Sequence, residues 1–331
     1  MACDPFPGPG DLWGETMERL IKHILDWNNL VAAWNRVEKA KGAAGSDGVS
    51  VRRWGRTWEE RLVELRQAVM ANTYVPAPLE RFTVPKRSGG VRHMTNLTVT
   101  DKVLQRAVLN VLDDMFEAIF LDSSFGYRPG RSLGDAVKTI IKHRDVALEW
   151  VFDADVDDCF DSLDHGLMRR FVREAVADPI VLRLIDLWLE QGLGGARDSG
   201  PEDDPPAPKG IPLGAVISPL LCNVYLHRLD EAMFELGHTA LRYADDWIAL
   251  CETEDDAYRA WDDAVLVLEG LKLRLEPSKT RVTSFDQGFE YLGVTFYRDT
   301  YSYHWQSKRI EVQGPFDDWL FSQTGPDGYR G

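Results

Sequence analysis

The stretch FDADVDDCFDSLDH, residues 152–165, constrains the fold of this chain more than any other segment. It places six aspartates within fourteen residues and interleaves them with apolar side chains. A solvated acidic loop does not need the apolar residues, and a core strand does not tolerate so many unpaired carboxylates. Carboxylates beside a core are tolerated where they coordinate a cation. The segment therefore predicts a strand that ends at a metal site.

Composition indicates a packed globular protein, because 44% of the 331 residues are hydrophobic and eleven are tryptophan. No apolar run reaches the length of a membrane span, and the N-terminal residues lack the pattern of a secretory signal. The four cysteines show no CxxC spacing, which argues against a zinc site or a disulfide framework. We therefore expect a cytoplasmic protein without a membrane partner.

The net charge of −15 argues against a generic nucleic-acid binder, which usually presents a basic face. The charge is unevenly distributed, however. Basic residues outnumber acidic ones in 81–145, whereas 252–269 is strongly acidic and contains Arg259 as its single basic residue. One use of this segregation is a basic wall for phosphates that faces an acidic metal site.

Apolar periodicity predicts alternating helices and short strands. Helices are expected at about 16–41, 55–72, 98–120 and 133–143, after Asp164 as N-cap, in ISPLLCNVYLHRLDEAMF, and up to about residue 271. Strands are expected as a hairpin within 78–97, in WVFDADV, in LRYADDWIAL, and in the pair formed by SKTRV and FEYLGVTFY. In LRYADDWIAL two apolar strands flank two aspartates, which is typical of a β-hairpin whose turn carries the acids.

Three aspartates form the constellation that carries chemistry. Asp155 ends one predicted strand, and Asp245 and Asp246 lie at the predicted hairpin turn. If these strands are neighbours in one sheet, three carboxylates converge at one edge, and Mg²⁺ prefers such oxygen ligands. Two ions about 4 Å apart activate an attacking 3′-hydroxyl and stabilise a leaving pyrophosphate. Asp157, Asp158 and Asp164 are interpreted as solvated, turn or capping residues, and Asp161 as a structural residue.

The order of motifs resembles a reverse transcriptase of the bacterial, group II intron-like lineage, from about residue 34 to residue 296. The matching segments are GAAGSDGVS, VPKRSGGVRHM, SSFGYRPGRS, FDADVDDCFDSLDH, GIPLGAVISPLLCNVYLHRLD, RYADD, LKLRLEPSKT and FEYLGVTF. Each segment taken alone fits a bland explanation, such as a basic hairpin or an acidic turn. Their joint order with matching gaps favours the family.

The resemblance implies a role for each matching residue. The metal ligands are Asp155, Asp245, Asp246 and the backbone carbonyl of Val156, and they hold two Mg²⁺ or Mn²⁺ ions. Phe160 occupies the steric-gate position that disfavours a ribose 2′-hydroxyl, and Lys279 the position that assists the leaving pyrophosphate. The remaining implied roles are nucleotide binding by Lys86, Arg92, Arg128 and Leu213, and a primer grip formed by Tyr291, Leu292 and Gly293.

Two departures from the family pattern stand out. The usual Pro-Gln-Gly is Pro212-Leu213-Gly214 here, and leucine has no amide to support a nucleotide and template pocket. We therefore expect unusual fidelity, nucleotide preference or template use. The second departure is that only about 35 residues follow FEYLGVTF. The thumb is therefore expected to be short, absent, or supplied by a partner.

The expected fold is α+β, a fingers-and-palm polymerase with an antiparallel, ferredoxin-like palm sheet of about four strands and helices on one face. The expected domains are an N-terminal extension (1–74), fingers (75–145), a palm (146–298, with a helical and loop insertion at 166–210), and a short C-terminal segment or thumb start (299–331).

The expected function is RNA-directed DNA synthesis from dNTPs on an RNA template with a DNA or RNA primer. A CRISPR-adaptation or anti-phage setting with a protein or structured-RNA partner is the expected context. Two alternatives stay open. One is a template-independent or protein-primed nucleotidyltransferase, and the other is a maturase-like RNA-binding protein.

Overall fold

The computed structural model describes residues 20–85, 91–192, 208–318 and 320–321. They form two compact units, and the chain passes through each unit twice. The first unit takes the described residues of 1–118 and 163–224, and the second takes those of 119–162 and 225–331. The domains predicted from the sequence are functional parts of a polymerase, whereas these two units are defined by compactness. The predicted domain boundaries therefore stay a prediction.

Helices and antiparallel strands alternate along the chain, which confirms the α+β class. In the described residues and in chain order, the helices are α1 (Leu20–Ile24), α2 (Trp27–Lys39), α3 (Val51–Trp54), α4 (Trp58–Met70), α5 (Val99–Glu117), α6 (Leu133–Arg144), α7 (Cys159–Ser162), α8 (His165–Ala175), α9 (Pro179–Gly192), α10 (Ser218–Glu235) and α11 (Glu254–Gly270). The strands are β1 (Glu80–Pro85), β2 (Val91–Asn96), β3 (Trp150–Asp155), β4 (Thr239–Tyr243), β5 (Asp246–Cys251), β6 (Arg281–Ser284), β7 (Phe289–Tyr291), β8 (Val294–Tyr297), β9 (Thr300–Trp305) and β10 (Lys308–Gln313). None of the described helices has the length and apolar composition that a membrane span requires.

Helix α5 supplies much of the core of the first unit. It begins after Thr98, whose hydroxyl accepts a hydrogen bond from the backbone N–H of Asp101 at 3.1 Å. This N-cap satisfies one of the donors that the first turn of a helix leaves unpaired. Helix α2 packs beside α5, and the Asn29 side chain donates to the carbonyl of Ala107 at 2.9 Å. The helix predicted at about 98–120 is confirmed.

The first unit also contains the antiparallel hairpin β1–β2, in which Val84 pairs with Arg92 and Pro85 with Val91. A hairpin within 78–97 is therefore confirmed, while its turn at 86–90 lies outside the described residues. Most side chains of both strands are exposed. The described arginines of this hairpin, Arg81 and Arg92, are exposed.

The second unit contains the predicted palm sheet, an antiparallel sheet with strand order β4-β5-β3-β6. Successive side chains of a strand point to opposite faces, so Val151 and Phe152 mark the two faces of β3. Val151 shares a buried cluster with Val137 and Ile140 of α6. Phe152 stacks on Trp261 of α11, with 5.3 Å between ring centroids. The expectation of helices on one face is therefore wrong, since α6 and α11 cover opposite faces.

A second antiparallel sheet of this unit has strand order β10-β9-β8-β7. The prediction that SKTRV and FEYLGVTFY form one strand pair is wrong, because β6 pairs with β3 in the palm sheet, whereas FEYLGVTFY forms both β7 and β8 of this second sheet. Within the predicted short C-terminal segment or thumb start (299–331), residues 300–313 extend this sheet as β9 and β10, and the domain assignment stays a prediction. Tyr301 and Tyr303 of β9 are buried in the same cluster as Val151. The period-2 spacing of these tyrosines is the signal of a half-buried strand.

Candidate active site

The backbone brings Asp155 and Asp246 directly opposite each other. Asp155 is the last residue of β3, and its register partner is Asp246, the first residue of β5. Tyr243 of β4 also pairs with Asp246, so Ala244 and Asp245 form a two-residue turn between β4 and β5. The backbone of Ala244 has φ +60°, which a residue with a Cβ adopts only where its surroundings hold it. The predicted acidic hairpin turn and its neighbouring strand thus lie at one edge of the sheet.

Lys279 lies at the same edge because the chain before β6 is attached to the end of β3. The backbone N–H of Glu276 donates to the carbonyl of Asp155 at 2.8 Å. The side chain of Glu276 in turn accepts bonds from the backbone N–H and hydroxyl of Ser278, at 3.0 and 2.6 Å. This turn presents Lys279, whose ammonium group donates to Oδ2 of Asp155 at 2.5 Å. That hydrogen bond raises the pKa of Lys279, so the group is a cation at neutral pH.

Asp153 adds a fourth carboxylate to this edge. It lies two residues before Asp155 and therefore on the same face of β3. Its side chain pairs with the guanidinium group of Arg281, 3.1 Å away. Burial nevertheless raises the pKa of Asp153, and Arg281 offsets part of that shift. Sequence reasoning assigned Asp153 no role, although strand alternation places it beside Asp155.

The electrostatics of the edge favour a cation. Although Asp246 as a residue is exposed, its carboxyl group lies among enough protein atoms to lose solvation. That loss, together with repulsion from neighbouring carboxylates, Asp245 first among them, raises the pKa of Asp246 to about 7. A divalent ion relieves such repulsion, whereas Lys279 supplies only one positive charge.

The donor types at this edge fit a hard divalent cation, because Mg²⁺ is bound through carboxylates, carbonyls and water. The side-chain positions do not yet form a cage. Among the described residues, no group of three or more His, Cys, Asp or Glu side chains is arranged to hold a metal ion. Asp155 instead contacts Lys279, so ion binding requires these side chains to reorient. The predicted ligand set, with the carbonyl of Val156, stays a prediction.

Comparison with known proteins identifies the family of this chain. The family model described as reverse transcriptase (RNA-dependent DNA polymerase) matches residues 84–296, well over half of the chain. The chain belongs to the reverse transcriptase family. The match spans β2, β3, the turn of Ala244 and Asp245, and β8, and it confirms the resemblance inferred from the motifs.

Several proteins are similar to this chain. Protein YkfC of Escherichia coli (strain K12) is 29% identical over 321 residues, which is 84% of this chain and 82% of that protein. The group II intron-encoded protein LtrA of Lactococcus lactis subsp. cremoris is 30% identical over 230 residues, 67% of this chain but 36% of that protein. A solved chain of a partial Cas6-RT-Cas1–Cas2 complex has a TM-score of 0.43 and 23% identity, covering 76% of this chain and 42% of that chain.

Phe160, the steric-gate residue implied by the reverse transcriptase family, lies in the short helix α7 directly after β3. Its ring is 9% exposed, and Cys159 beside it is buried as well. Helix α7 follows Asp158, which has φ +38° and whose carbonyl accepts from the N–H of Asp161 at 2.9 Å. A tight turn at Asp158 therefore separates the end of β3 from α7, in which Phe160 lies four residues beyond Val156.

Two of the residues implied to bind nucleotide, Arg92 and Leu213, belong to the first unit. Lys86 lies outside the described residues, and Arg92 is an exposed residue of β2. The carbonyl of Leu213 accepts two bonds from Thr95, from the N–H at 2.7 Å and from the hydroxyl at 3.0 Å. The next residue, Gly214, has φ +107°, and an added Cβ would lie 2.6 Å from the carbonyl of Thr95. The backbone of Leu213 is therefore fixed, while its side chain is half-buried.

Arg128 was expected to stack on or contact the nucleotide, and the structure gives it a different environment. The residue is 5% exposed, and its guanidinium group donates to the carbonyls of Leu121 and Ser124, at 2.5 and 2.7 Å. It also lies 5.5 Å from the ring centroid of Phe120. This arrangement supports the loop before α6, and the nucleotide contact stays a prediction.

The residues of the predicted primer grip connect β7 to β8. Tyr291 pairs with Val294, so Leu292 and Gly293 form a two-residue turn in which both have positive φ, +54° and +75°. Tyr291 is 4% exposed, and its hydroxyl donates to the backbone carbonyl of Asp246 at 2.9 Å. In this structure its side chain therefore contacts the β4–β5 hairpin, and primer contact stays a prediction.

Proposed function

We propose that this chain is an RNA-directed DNA polymerase that adds deoxynucleotides to a primer 3′-hydroxyl. The observation that carries the proposal is the register of Asp155 opposite Asp246, with Asp245 in the adjoining turn, in a chain of the reverse transcriptase family. The sheet fixes the backbone that carries Asp155 and Asp246, so only their side chains have to reorient when an ion and substrate bind. A pure RNA-binding protein gains nothing from such a cluster beside a phosphate backbone.

Asp155, Asp245 and Asp246, with the carbonyl of Val156, would hold two Mg²⁺ or Mn²⁺ ions. Such ions lower the pKa of the attacking hydroxyl and neutralise charge on the leaving pyrophosphate. Lys279 donates to Asp155 in this structure, and on leaving that carboxylate it would donate to the pyrophosphate. Phe160 would exclude the 2′-hydroxyl of a ribonucleotide.

The proposed partners are an RNA template, a DNA or RNA primer, dNTPs, and a protein or structured-RNA partner. The proposed setting is a bacterial CRISPR-adaptation or anti-phage system in the cytoplasm. Buried free thiols at Cys159, Cys222 and Cys251 suit a reducing compartment. The net charge of −15 suits a protein that relies on a partner to hold nucleic acid. Isolation of the native protein with neither a protein nor an RNA would contradict this setting.

Primer extension tests the proposed activity. Purified protein would receive labelled dNTPs and Mg²⁺ or Mn²⁺ with an RNA template, a DNA template or no template. The double variant Asp245→Asn/Asp246→Asn serves as the control, since it keeps the size of both side chains and removes their charge. RNA-dependent extension that the double variant lacks is the expected result. Silence in every lane would favour the RNA-binding alternative.

A template-independent nucleotidyltransferase is the second candidate, and Leu213 is the observation that favours it. Thr95 fixes the backbone of Leu213, while the leucine side chain offers no hydrogen bond to a template or nucleotide. Product formed without template, and absent from the double variant, would support this candidate over the first.

A further inference from the structure

The turn between β4 and β5, formed by Ala244 and Asp245, is called the catalytic turn here. Side chains hold it on both sides of Asp245. The guanidinium group of Arg242 donates to the carbonyl of Ala244 at 2.8 Å. The hydroxyl of Tyr291 donates to the carbonyl of Asp246 at 2.9 Å. Asp245 therefore lies between two backbone carbonyls, and each of them accepts a hydrogen bond from a buried side chain. We call Arg242 and Tyr291 the turn clamp.

Arg242 is itself held rigidly. Its Nε and Nη2 atoms donate to the two carboxylate oxygens of Asp230, at 2.8 and 2.6 Å, and Nη2 also donates to the hydroxyl of Ser124 at 2.9 Å. The side chains of Arg242 and Asp230 are 2% and 5% exposed. A two-point pair of this kind fixes the plane of the guanidinium group as well as its position. The buried carboxylate of Asp230 thus orients the guanidinium group that donates to the carbonyl of Ala244.

The loop before α6 also supports the catalytic turn, through backbone hydrogen bonds to Arg242. The N–H of Phe125 donates to the carbonyl of Arg242 at 2.8 Å, and the N–H of Arg242 donates to the carbonyl of Ser123 at 2.9 Å. Gly126 follows, and an added Cβ there would overlap the backbone nitrogen of Ala244. The turn therefore has a backing of main chain as well as two side-chain donors.

We infer that Arg242 and Tyr291 are positioning residues, which set the directions of the Asp245 and Asp246 carboxylates for ion binding and catalysis. The inference rests on the proposed function of this site. The carbonyls of Ala244 and Asp246 belong to the peptide groups that follow those residues, so releasing them lets the peptide planes around Asp245 rotate. Ala244 at φ +60° makes such rotation favourable once the clamp is lost. Small losses of position at catalytic groups cost much more in rate than in stability.

Tyr291→Phe is the first test, because it removes one hydroxyl and keeps the buried ring. Tyr301→Phe is the matched control, since Tyr301 is a buried tyrosine of the same sheet whose hydroxyl accepts from the N–H of Asp317. Outer hydrogen-bond partners of metal ligands typically contribute about 10–100-fold to metal affinity or activity. We expect Tyr291→Phe to lower kcat about 10-fold or more, to leave KM for primer–template nearly unchanged, and to raise the Mg²⁺ concentration at half-maximal rate. Tyr301→Phe should change none of these.

Arg242 needs a different design, because removing it alone leaves Asp230 as an unpaired buried charge. The double variant Arg242→Met/Asp230→Leu removes both charges and keeps apolar bulk. It should unfold near the wild-type temperature and show the same loss of kcat as Tyr291→Phe. Arg242→Lys retains one donor, so it should retain more activity than the double variant. A double variant with unchanged kcat and metal dependence would overturn the role of Arg242.

A measurement of metal binding without turnover tests this inference independently of the proposed polymerase activity. The rise in unfolding temperature on titration with Mn²⁺ reports ion binding directly. Tyr291→Phe should shift the midpoint of that titration about 10-fold higher, whereas Tyr301→Phe should not. Equal midpoints in a wild type that binds Mn²⁺ would overturn the inference, whether or not primer extension is seen. A wild type that neither extends primers nor responds to Mn²⁺ would overturn the inference and the proposed function together.

Discussion

The ammonium group of Lys279 lies 2.5 Å from the Oδ2 atom of Asp155. Lys279 therefore neutralises one of the carboxylates that are expected to bind a metal ion. The same side chain is expected to act on the leaving pyrophosphate. Because Lys279 both competes with a metal ion for Asp155 and assists turnover, its removal should strengthen ion binding and lower the reaction rate.

Lys279→Gln should therefore improve ion binding while it lowers activity. Without the competing ammonium group, the Mn²⁺ titration of the unfolding temperature should reach its midpoint at a lower concentration. The rate of single-nucleotide addition should fall by about 10-fold or more, since positioned proton donors contribute about 10²–10⁴-fold. Arg281→Gln is the matched control, because Arg281 pairs with Asp153 on the same strand face. A Lys279→Gln variant with weaker Mn²⁺ binding would contradict the competition.

Gly126→Ala should disrupt the catalytic turn. The added methyl group would overlap the backbone of Ala244 and come within 2.9 Å of the carbonyl carbon of Tyr243. Backbone cannot move aside as a flexible side chain does, and overpacking of this kind typically costs about 1–3 kcal/mol. We expect a lower unfolding temperature and loss of primer extension. Gly42→Ala, where the methyl group meets nothing within 4 Å, should leave both unchanged, and a fully active Gly126→Ala would contradict the close packing.

Much of this arrangement follows from patterns in the sequence. The apolar run around two aspartates in LRYADDWIAL predicts the β4–β5 hairpin, and WVFDADV predicts β3 with Asp155 at its end. Val151 and Phe152 are consecutive apolar residues of a strand and therefore point to opposite faces, which indicates that both faces of the sheet are covered. Alternation likewise places Asp153 beside Asp155. These features depend on local periodicity, which a sequence displays directly.

Other features depend on contacts that no local pattern encodes. Arg242 and Asp230 are twelve residues apart, on a strand and a helix, and their pairing arises only when α10 packs beside β4. Arg128 is a further case, because the loop motif that predicts a nucleotide contact for it does not reveal its burial or its carbonyl partners. Burial and partners of long charged side chains are decided by tertiary packing.

Asp113 of α5 should make stability depend on pH. Burial raises the pKa of its carboxyl from 3.8 to about 6, and Arg106 offsets part of that shift. A raised pKa means that the folded state binds the proton more tightly than the unfolded state. This contribution to stability is therefore complete below pH 4 and is lost as the pH rises through about 6.

Asp113→Asn removes that ionisation, so the variant should gain stability relative to wild type as the pH rises from 4 to 7. The measurement is the difference in unfolding temperature between variant and wild type across this range. We expect this difference to increase with pH. A difference that decreases with pH would show that Asp113 stabilises the fold as a charged partner of Arg106.

Leu213→Gln should change how closely the enzyme follows its template. Because Thr95 holds the carbonyl of Leu213 through two hydrogen bonds, the substitution changes the side chain without releasing the backbone. Glutamine restores an amide that can donate to a nucleotide or template base, and unpaired polar groups discriminate strongly against wrong partners. We expect misincorporation on an RNA template to fall several-fold, by about 1 kcal/mol of added discrimination, and any product made without template to decrease. Leu213→Met controls for size, since it keeps an apolar side chain of similar volume. Sequencing of single-pass extension products measures the error rate, and equal error rates for Leu213→Gln and Leu213→Met would mean that this position does not set fidelity.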